Sequence, residues 1–166
     1  MRTAAARGSD FFGPLVLGST LGEQVFEPVL AGKPAQFIGR LDQPHSYTYI
    51  ADFGEALAIL GERNEALGQA WHVPNAPALT QQALADLIAA ELGQPVRASR
   101  MGRAMLWLGG LFIPAARETV EMLYEFERPF VADGTRFTAT FGLHPTPMAK
   151  AIRATLAWYR HRTALP

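Results

Sequence analysis

The sequence predicts an α/β fold that is one portion of a larger sheet, and three observations carry that expectation. Runs with strand character alternate with amphipathic helical runs, the order that builds sheets covered by helices. The strand-like runs are few, short and separated by long gaps, which makes a poor complete sheet. Charged residues are 18% of the chain and hydrophobic residues 49%. Ordinary domains carry about 25% charged residues, so apolar contact area for a partner domain or an oligomer interface is expected. The 166 residues suffice for one ordinary core, burying roughly 70% of the surface that the unfolded chain exposes, and residues 1–166 are read as a single domain or part of one.

The chain opens with TAAARGSDFFGP, a short strand that runs into a turn at Gly13-Pro14, with nothing before it to pair with. A helix is expected from about Ser19 to Leu30, where Leu21, Val25 and Val29 recur at four-residue spacing and Pro28 weakens the end. Ala35 to Gly39 and Ser46 to Ile50 read as strands. Asp52-Phe53-Gly54-Glu55 has the form of a capping box, with Asp52 accepting from amide N–H groups at the start of a helix that runs through Leu60. Gly68 to Val73 reads as a strand. Thr80 then caps an amphipathic helix through Leu84, Leu87, Ile88 and Leu92, which Gly93 ends and Pro95 forbids to continue. Beyond it, Val96 suggests a strand and residues 101–108 a helix. Pro114 can occupy the first turn of a helix to about Glu127, and Thr146-Pro147 starts a closing helix with Met148, Ile152, Leu156 and Tyr159 on one stripe.

Several chemistries are excluded by composition. The chain has no cysteine, which removes disulfides, thiolate metal sites and cysteine nucleophiles. Its 15 basic and 15 acidic side chains cancel, so no electrostatic reason favours nucleic acid as a partner. His45, His72, His144 and His161 include no pair at helical ligand spacing and no HExxH. Glu118, Glu121 and Glu125 read as a solvated helix face supported by Arg117, because no Glu-x-x-His accompanies them. Gly18 and Gly22 flank Ser19 and Thr20 without a following Gly-Lys-Ser/Thr, and neither G-x-G-x-x-G nor G-x-S-x-G occurs. Ala104 to Ile113 is too short for a bilayer span and holds Gly109-Gly110, so it reads as buried or interfacial. MRTAAARGSD has no signal-peptide core; a cytoplasmic protein without a membrane partner is expected.

Three segments in order resemble one family. Arg7-Gly8-Ser9-Asp10-Phe11-Phe12-Gly13-Pro14 is similar to R-P-S-N-x-Y-G-P. His45-Ser46-Tyr47-Thr48-Tyr49-Ile50-Ala51-Asp52-Phe53 is similar to R-D-Y-x-x-V-x-D-L/F. Asp133 to Thr146, followed by Trp158-Tyr159, is similar to D-x-S-K-x-x-x-x-L-G-x-x-P-T with a terminal W-Y. These are motifs of the extended short-chain dehydrogenase/reductases, the NAD-dependent epimerase/dehydratases. The resemblance implies the C-terminal part of a Rossmann-like fold: the last strands plus the small substrate-binding lobe, with the nucleotide-binding half absent.

By that resemblance, Gly8, Ser9, Asp10 and Phe11 occupy the turn that borders the nicotinamide of NAD or NADP. The substrate side falls on Phe12, His45, Tyr47 and Arg128. His45 stands where sugar-nucleotide members carry a diphosphate-gripping Arg, which argues against a nucleotide-sugar substrate, and Asp52 matches a motif position that its capping role already explains. Hydride transfer in the family uses a Tyr whose pKa a nearby Lys lowers, while the cofactor carries the hydride. Tyr47, Tyr49, Tyr124 and Tyr159 all lack a Lys four residues on. The expectation is therefore the substrate-binding half of an NAD(P)-dependent oxidoreductase or epimerase acting on a small hydroxylated or carbonyl substrate. Alone it should be inactive, hold no cofactor, and self-associate or await a missing N-terminal half. A stand-alone binding module, or one that completes another chain's sheet, is the alternative.

Overall fold

The computed structural model describes residues 2–109 and 120–163. The opening extended run divides into β1 (Ala5–Arg7) and β2 (Asp10–Phe12). Each half follows a different partner: β1 lies parallel to β6 (Ala70–His72), and β2 lies parallel to β5 (Tyr47–Tyr49). The run expected to lack a partner thus finds two, both later in the chain. The break falls at Ser9, whose N–H donates to Thr48 Oγ1 at 2.8 Å and whose hydroxyl donates to the Ser46 carbonyl at 2.6 Å. A third parallel pair joins β3 (Ala35–Ile38) to β8 (Ala98–Met101), while β4 (Pro44–His45) and β7 (Leu79–Thr80) pair antiparallel. Parallel pairs require long crossovers, and helices supply them here.

α1 (Phe26–Leu30) is much shorter than the helix expected from Ser19, because the chain before it runs in successive turns. Leu21, Val25 and Val29 are nevertheless buried as their spacing predicts. α2 (Ile50–Glu62) begins at Tyr49 and has no side-chain cap. The Asp52 capping box is therefore corrected: Asp52 already lies in the first helical turn, and its carboxylate accepts from the N–H of Thr146 at 2.8 Å and its hydroxyl at 2.6 Å. A residue spaced like a cap is instead a pin between α2 and a segment 94 positions away.

α3 (Gln81–Leu92) agrees with the sequence at both ends. Thr80 Oγ1 accepts from Ala83 N–H, and Gly93 takes the left-handed conformation at φ 69° that only glycine adopts without strain. α4 (Arg103–Gly109) and α5 (Tyr124–Glu127) flank the undescribed segment. The expected start at Pro114, together with Arg117 and Glu118, lies outside the described residues. Met105, Trp107 and Leu108 are exposed rather than buried. α6 (Thr135–Phe141) has no counterpart in the sequence reading, and α7 (Met148–Thr163) forms where its stripe places it.

The main core packs α1, β3, α3 and α7 around Phe26, Phe37, Leu84, Ile88, Ile152 and Leu156. Tyr159 closes it, stacked on Phe26 with ring centroids 5.6 Å apart and donating its hydroxyl to the Val16 carbonyl at 2.7 Å. A second cluster joins α2, β6 and α6 through Ala56, Leu60, Trp71, Val73 and Phe137, and a small third one unites Ile38, Leu123 and Phe126. No helix among the described residues is long and apolar enough to cross a membrane.

Candidate functional site

The β2–β5 ladder brings most of the sequence-derived candidates together. Asp10 is in register with Tyr47, and Phe12 with Tyr49. Ser46 and then His45 immediately precede β5, so Gly8–Phe11 lies beside the start of the second motif; Asp10 and Phe11, expected in a turn, are strand residues of β2, and only Gly8 and Ser9 form the break between β1 and β2. His45 Nε2 and Asp10 Oδ2 are 2.5 Å apart, with the His45 side chain 3% and the Asp10 side chain 21% exposed. The imidazole stacks on Phe126 and Phe130, each with centroids 5.1 Å away, and lies 5.1 Å from the Tyr47 ring. His45 is thus enclosed by rings and engaged by a carboxylate, leaving it no reach toward a ligand phosphate. Burial, reinforced by the negative charge of Asp10, raises the Tyr47 phenol well above the ordinary tyrosine range, and its hydroxyl is buried without a partner among the described residues.

A hydrogen-bond chain continues from this ladder toward solvent. Thr48 Oγ1 accepts from Ser9 N–H and donates to Asn75 Oδ1 at 2.8 Å. Asn75 is held by that bond, and its Nδ2 is buried and unpartnered among the described residues. Ser46 Oγ accepts from Ala132 N–H at 3.0 Å, which ties β5 to the segment after Phe130.

Two clefts meet at this segment. One, of about 350 Å³, is walled by the Pro74–Ala78 loop, Ser46 and the start of α6. The other, of about 590 Å³, is lined by Gly8, Phe11, Phe53, His72 and Phe130, with Arg7 at its edge. Val131 and Ala132 belong to both. The walls of the first cleft approach closely because position 134 is glycine: a Cβ there would stand 2.5 Å from Pro74 Cα. Asp133 borders this cleft, and hydrogen bonds from Thr135 hold its carboxyl below the usual carboxylate range.

Arg128 stands exposed, with no ion-pair partner among the described residues. Of the glutamates read as a solvated face, Glu121 is exposed and Glu125 half-buried. No group of three or more His, Asp or Glu among the described residues could hold a metal ion. Sequence reasoning missed Asn75 and Thr138 as cleft residues. The available signal was Pro74-Asn75-Ala76-Pro77, a polar side chain between two prolines just past a strand end.

No protein-family model matches the chain, and no curated protein matches it. Solved structures do. UDP-glucuronic acid 4-epimerase from Bacillus cereus, in complex with UDP-glucuronic acid and NAD, aligns with a TM-score of 0.71 at 13% identity over 95% of this chain and 45% of its own. Epimerase Mth375 from Methanothermobacter thermautotrophicus gives 0.71 at 16% over 98% and 44%. The dTDP-glucose 4,6-dehydratase of Bacillus anthracis, in complex with NAD, gives 0.68 at 14% over 94% and 44%. At these identities the likeness establishes the fold alone: the chain folds like part of these two epimerases and this dehydratase and spans less than half the length of each of those three.

Proposed function

We propose that the chain is the substrate-side portion of an NAD(P)-dependent oxidoreductase or epimerase and that it is catalytically inactive until a cofactor-binding portion completes it. The observation that carries this reading is the β1–β6 pair. Ala5 N–H donates to the Gln69 carbonyl, and Val73 N–H donates to the Arg7 carbonyl, both at 2.9 Å. In a parallel ladder alternate residues bond to opposite sides, so the N–H and C=O of Ala6 point to the other edge of β1, where no strand lies among the described residues. Parallel sheets occur almost only as buried parts of larger helix-covered sheets. A two-stranded parallel remnant with an open edge, directly before the break at Gly8 and Ser9, is what a sheet looks like when its neighbouring strand comes from elsewhere.

On this reading the nicotinamide end of NAD or NADP would border this portion at Gly8, Ser9, Asp10 and Phe11, of which Gly8 and Phe11 line the 590 Å³ cleft. The cofactor would supply the hydride. The chain's own residues form the wall: Ser9 locks the turn to β5, and Phe11, in edge contact with Phe53 at 4.8 Å, gives an apolar surface that excludes water. The substrate side would fall on Phe12, His45, Tyr47 and Arg128; the first three are buried behind the clefts and line neither, and Arg128 is exposed. The proton-transferring Tyr and its Lys would come from the completing portion.

Amide hydrogen exchange tests this reading. The Ala6 amide should exchange rapidly in the 166-residue chain kept dilute enough to be monomeric. It should become protected, with NAD binding gained, when a segment bearing a Gly-rich turn and Tyr-x-x-x-Lys is joined upstream or supplied in trans. An Ala6 amide protected as strongly as Phe37 in the monomeric chain would overturn the open-edge argument.

A further inference from the structure

We infer that the cleft at the N-terminal ends of β3 and β8 is a site for a small phosphate monoester, held by Lys33 and Arg97; the site goes beyond the reading above and does not depend on it. The cleft measures about 330 Å³, near the low end of the roughly 300–1,000 Å³ of ligand pockets. The His45 cluster meets the opposite end of β3, where Arg40 N–H donates to the Phe126 carbonyl and Phe126 stacks on His45. The four residues of β3 separate its two ends by about 13 Å. Ligands of open α/β sheets ordinarily bind outside the C-terminal ends of the strands, so a molecule held at this end reads as an effector.

Charge around the cleft is out of balance. Lys33 and Arg97 line it and are exposed, neither has an ion-pair partner among the described residues, and no carboxylate among those residues lines it. The carboxylates of α3, of α1 and of the turn before α1 are engaged elsewhere. Glu23 and Glu27 accept from Arg162, Glu91 accepts from Arg153, and Asp86 accepts from Gln82. α1 and α3 both end beside the cleft, and a helix C-terminus carries roughly half a negative charge. Two such ends offset two full positive charges only in part.

The walls suit an anionic head on a small uncharged body. The Arg97 guanidinium presents a planar fork of N–H donors that matches phosphate oxygens, Lys33 adds a point charge, and Gln94 adds a neutral amide. Pro34, Pro95 and Val96 give apolar surface to the ester carbon, and the fixed φ of the two prolines holds that surface in shape. Ala35 N–H donates to the Arg97 carbonyl at 2.9 Å, which ties the segment carrying Lys33 to the segment carrying Arg97 before any ligand arrives.

The test is NMR titration of the isotope-labelled chain at fixed low salt and about pH 7.5, where a phosphate monoester is mostly dianionic. The probes are methyl phosphate, dimethyl phosphate as its monoanionic counterpart, and succinate as a dianion of another class. Methyl phosphate should shift the Lys33, Gln94 and Arg97 amides saturably with about millimolar affinity, well apart from micromolar cofactor binding. One unit charge near 4 Å at an exposed site is worth about fivefold in affinity. Dimethyl phosphate should therefore bind about fivefold more weakly, and Lys33→Gln and Arg97→Gln should each weaken methyl phosphate by about the same factor. Lys150→Gln, which removes an exposed cation that does not line the cleft, should change nothing. Silence of the three amides toward methyl phosphate, equal affinity for dimethyl phosphate, or tighter binding of succinate by the unaltered chain each overturns the proposal, as does an affinity that both cleft variants leave intact.

Discussion

Replacing Gly134 by alanine tests the geometry that forms the first cleft. The added Cβ would stand 2.5 Å from Pro74 Cα, 2.8 Å from Pro74 N and 3.0 Å from Val73 C. All three are backbone atoms that cannot swing aside, and relaxed carbon contacts need about 3.5–4.0 Å, so the two walls must part by about 1 Å. Gly134 itself has φ −97° and ψ 6°, a conformation alanine tolerates, which leaves steric overlap as the whole effect. Overpacking of this kind costs about 1–3 kcal/mol, and each kcal/mol lowers Tm by about 2–4 °C in a protein of this length. Gly54→Ala is the matched control: it lies inside α2 with nothing within 4 Å of its added Cβ. That substitution should stabilise by about 0.5–1 kcal/mol, because alanine has less backbone freedom to lose. Urea unfolding followed by circular dichroism reads both. Opposite signs are expected; a Gly134→Ala change within about 0.5 kcal/mol of zero, the noise of exposed-site substitutions, would show that the walls do not touch as described.

Three further outcomes follow from the same structure. Asp52→Asn should destabilise by about 2–3 kcal/mol, since a buried carboxylate loses a charge-assisted bond and turns an amide donor toward Thr146; Thr146→Val should couple to it by at least about 0.5 kcal/mol in a double-mutant cycle, whereas a helix cap would show no coupling. Burial, with Glu23 and Glu27 nearby, pushes the Tyr159 phenol up to about 12. Its contribution to stability should be intact below the ordinary tyrosine value near 10 and fall away as pH climbs toward 12. Tyr159→Phe should shallow that alkaline loss in urea titrations without abolishing it, because Tyr47 is raised as well; an unchanged slope would contradict the assignment. Finally, the open edge of β1 should drive self-association of the isolated chain, and sedimentation showing a clean monomer across the micromolar range would count against it.

What the sequence revealed depended on whether the deciding contact was local. Thr80 and Gly93 mark the ends of α3 because a cap and a left-handed stop act within a few residues, and the stripe of α7 is legible because one face meets one core. Asp52 misled because Asp-x-x-Glu describes a cap only when the helix starts there. Tyr49 starts it three residues earlier, and the true partner, Thr146, is visible only after folding. The pairing of β1 with β6 and of β2 with β5 is likewise non-local, and the divided path of the opening run is set by Ser9 reaching Thr48 and Ser46. α6 escaped notice because Thr135–Phe141 is rich in threonine and phenylalanine, which favour strands; burial of Phe137 against Trp71 overrides that preference. Among the candidate site residues, the juxtaposition of Gly8–Phe12 with His45 and Tyr47 followed the order of the motifs. The enclosure of His45 by Asp10, Phe126 and Phe130, and the cleft at Asn75 and Asp133, required the fold.

The most direct test of the central claim is isothermal titration of the 166-residue chain with NAD, NADH, NADP and NADPH, with its oligomeric mass measured on the same sample. A substrate-side portion awaiting its cofactor-binding partner should give no heat of binding with any of the four. Clear micromolar binding would contradict the account, because the chain or its oligomer would then build a cofactor site without the completing portion.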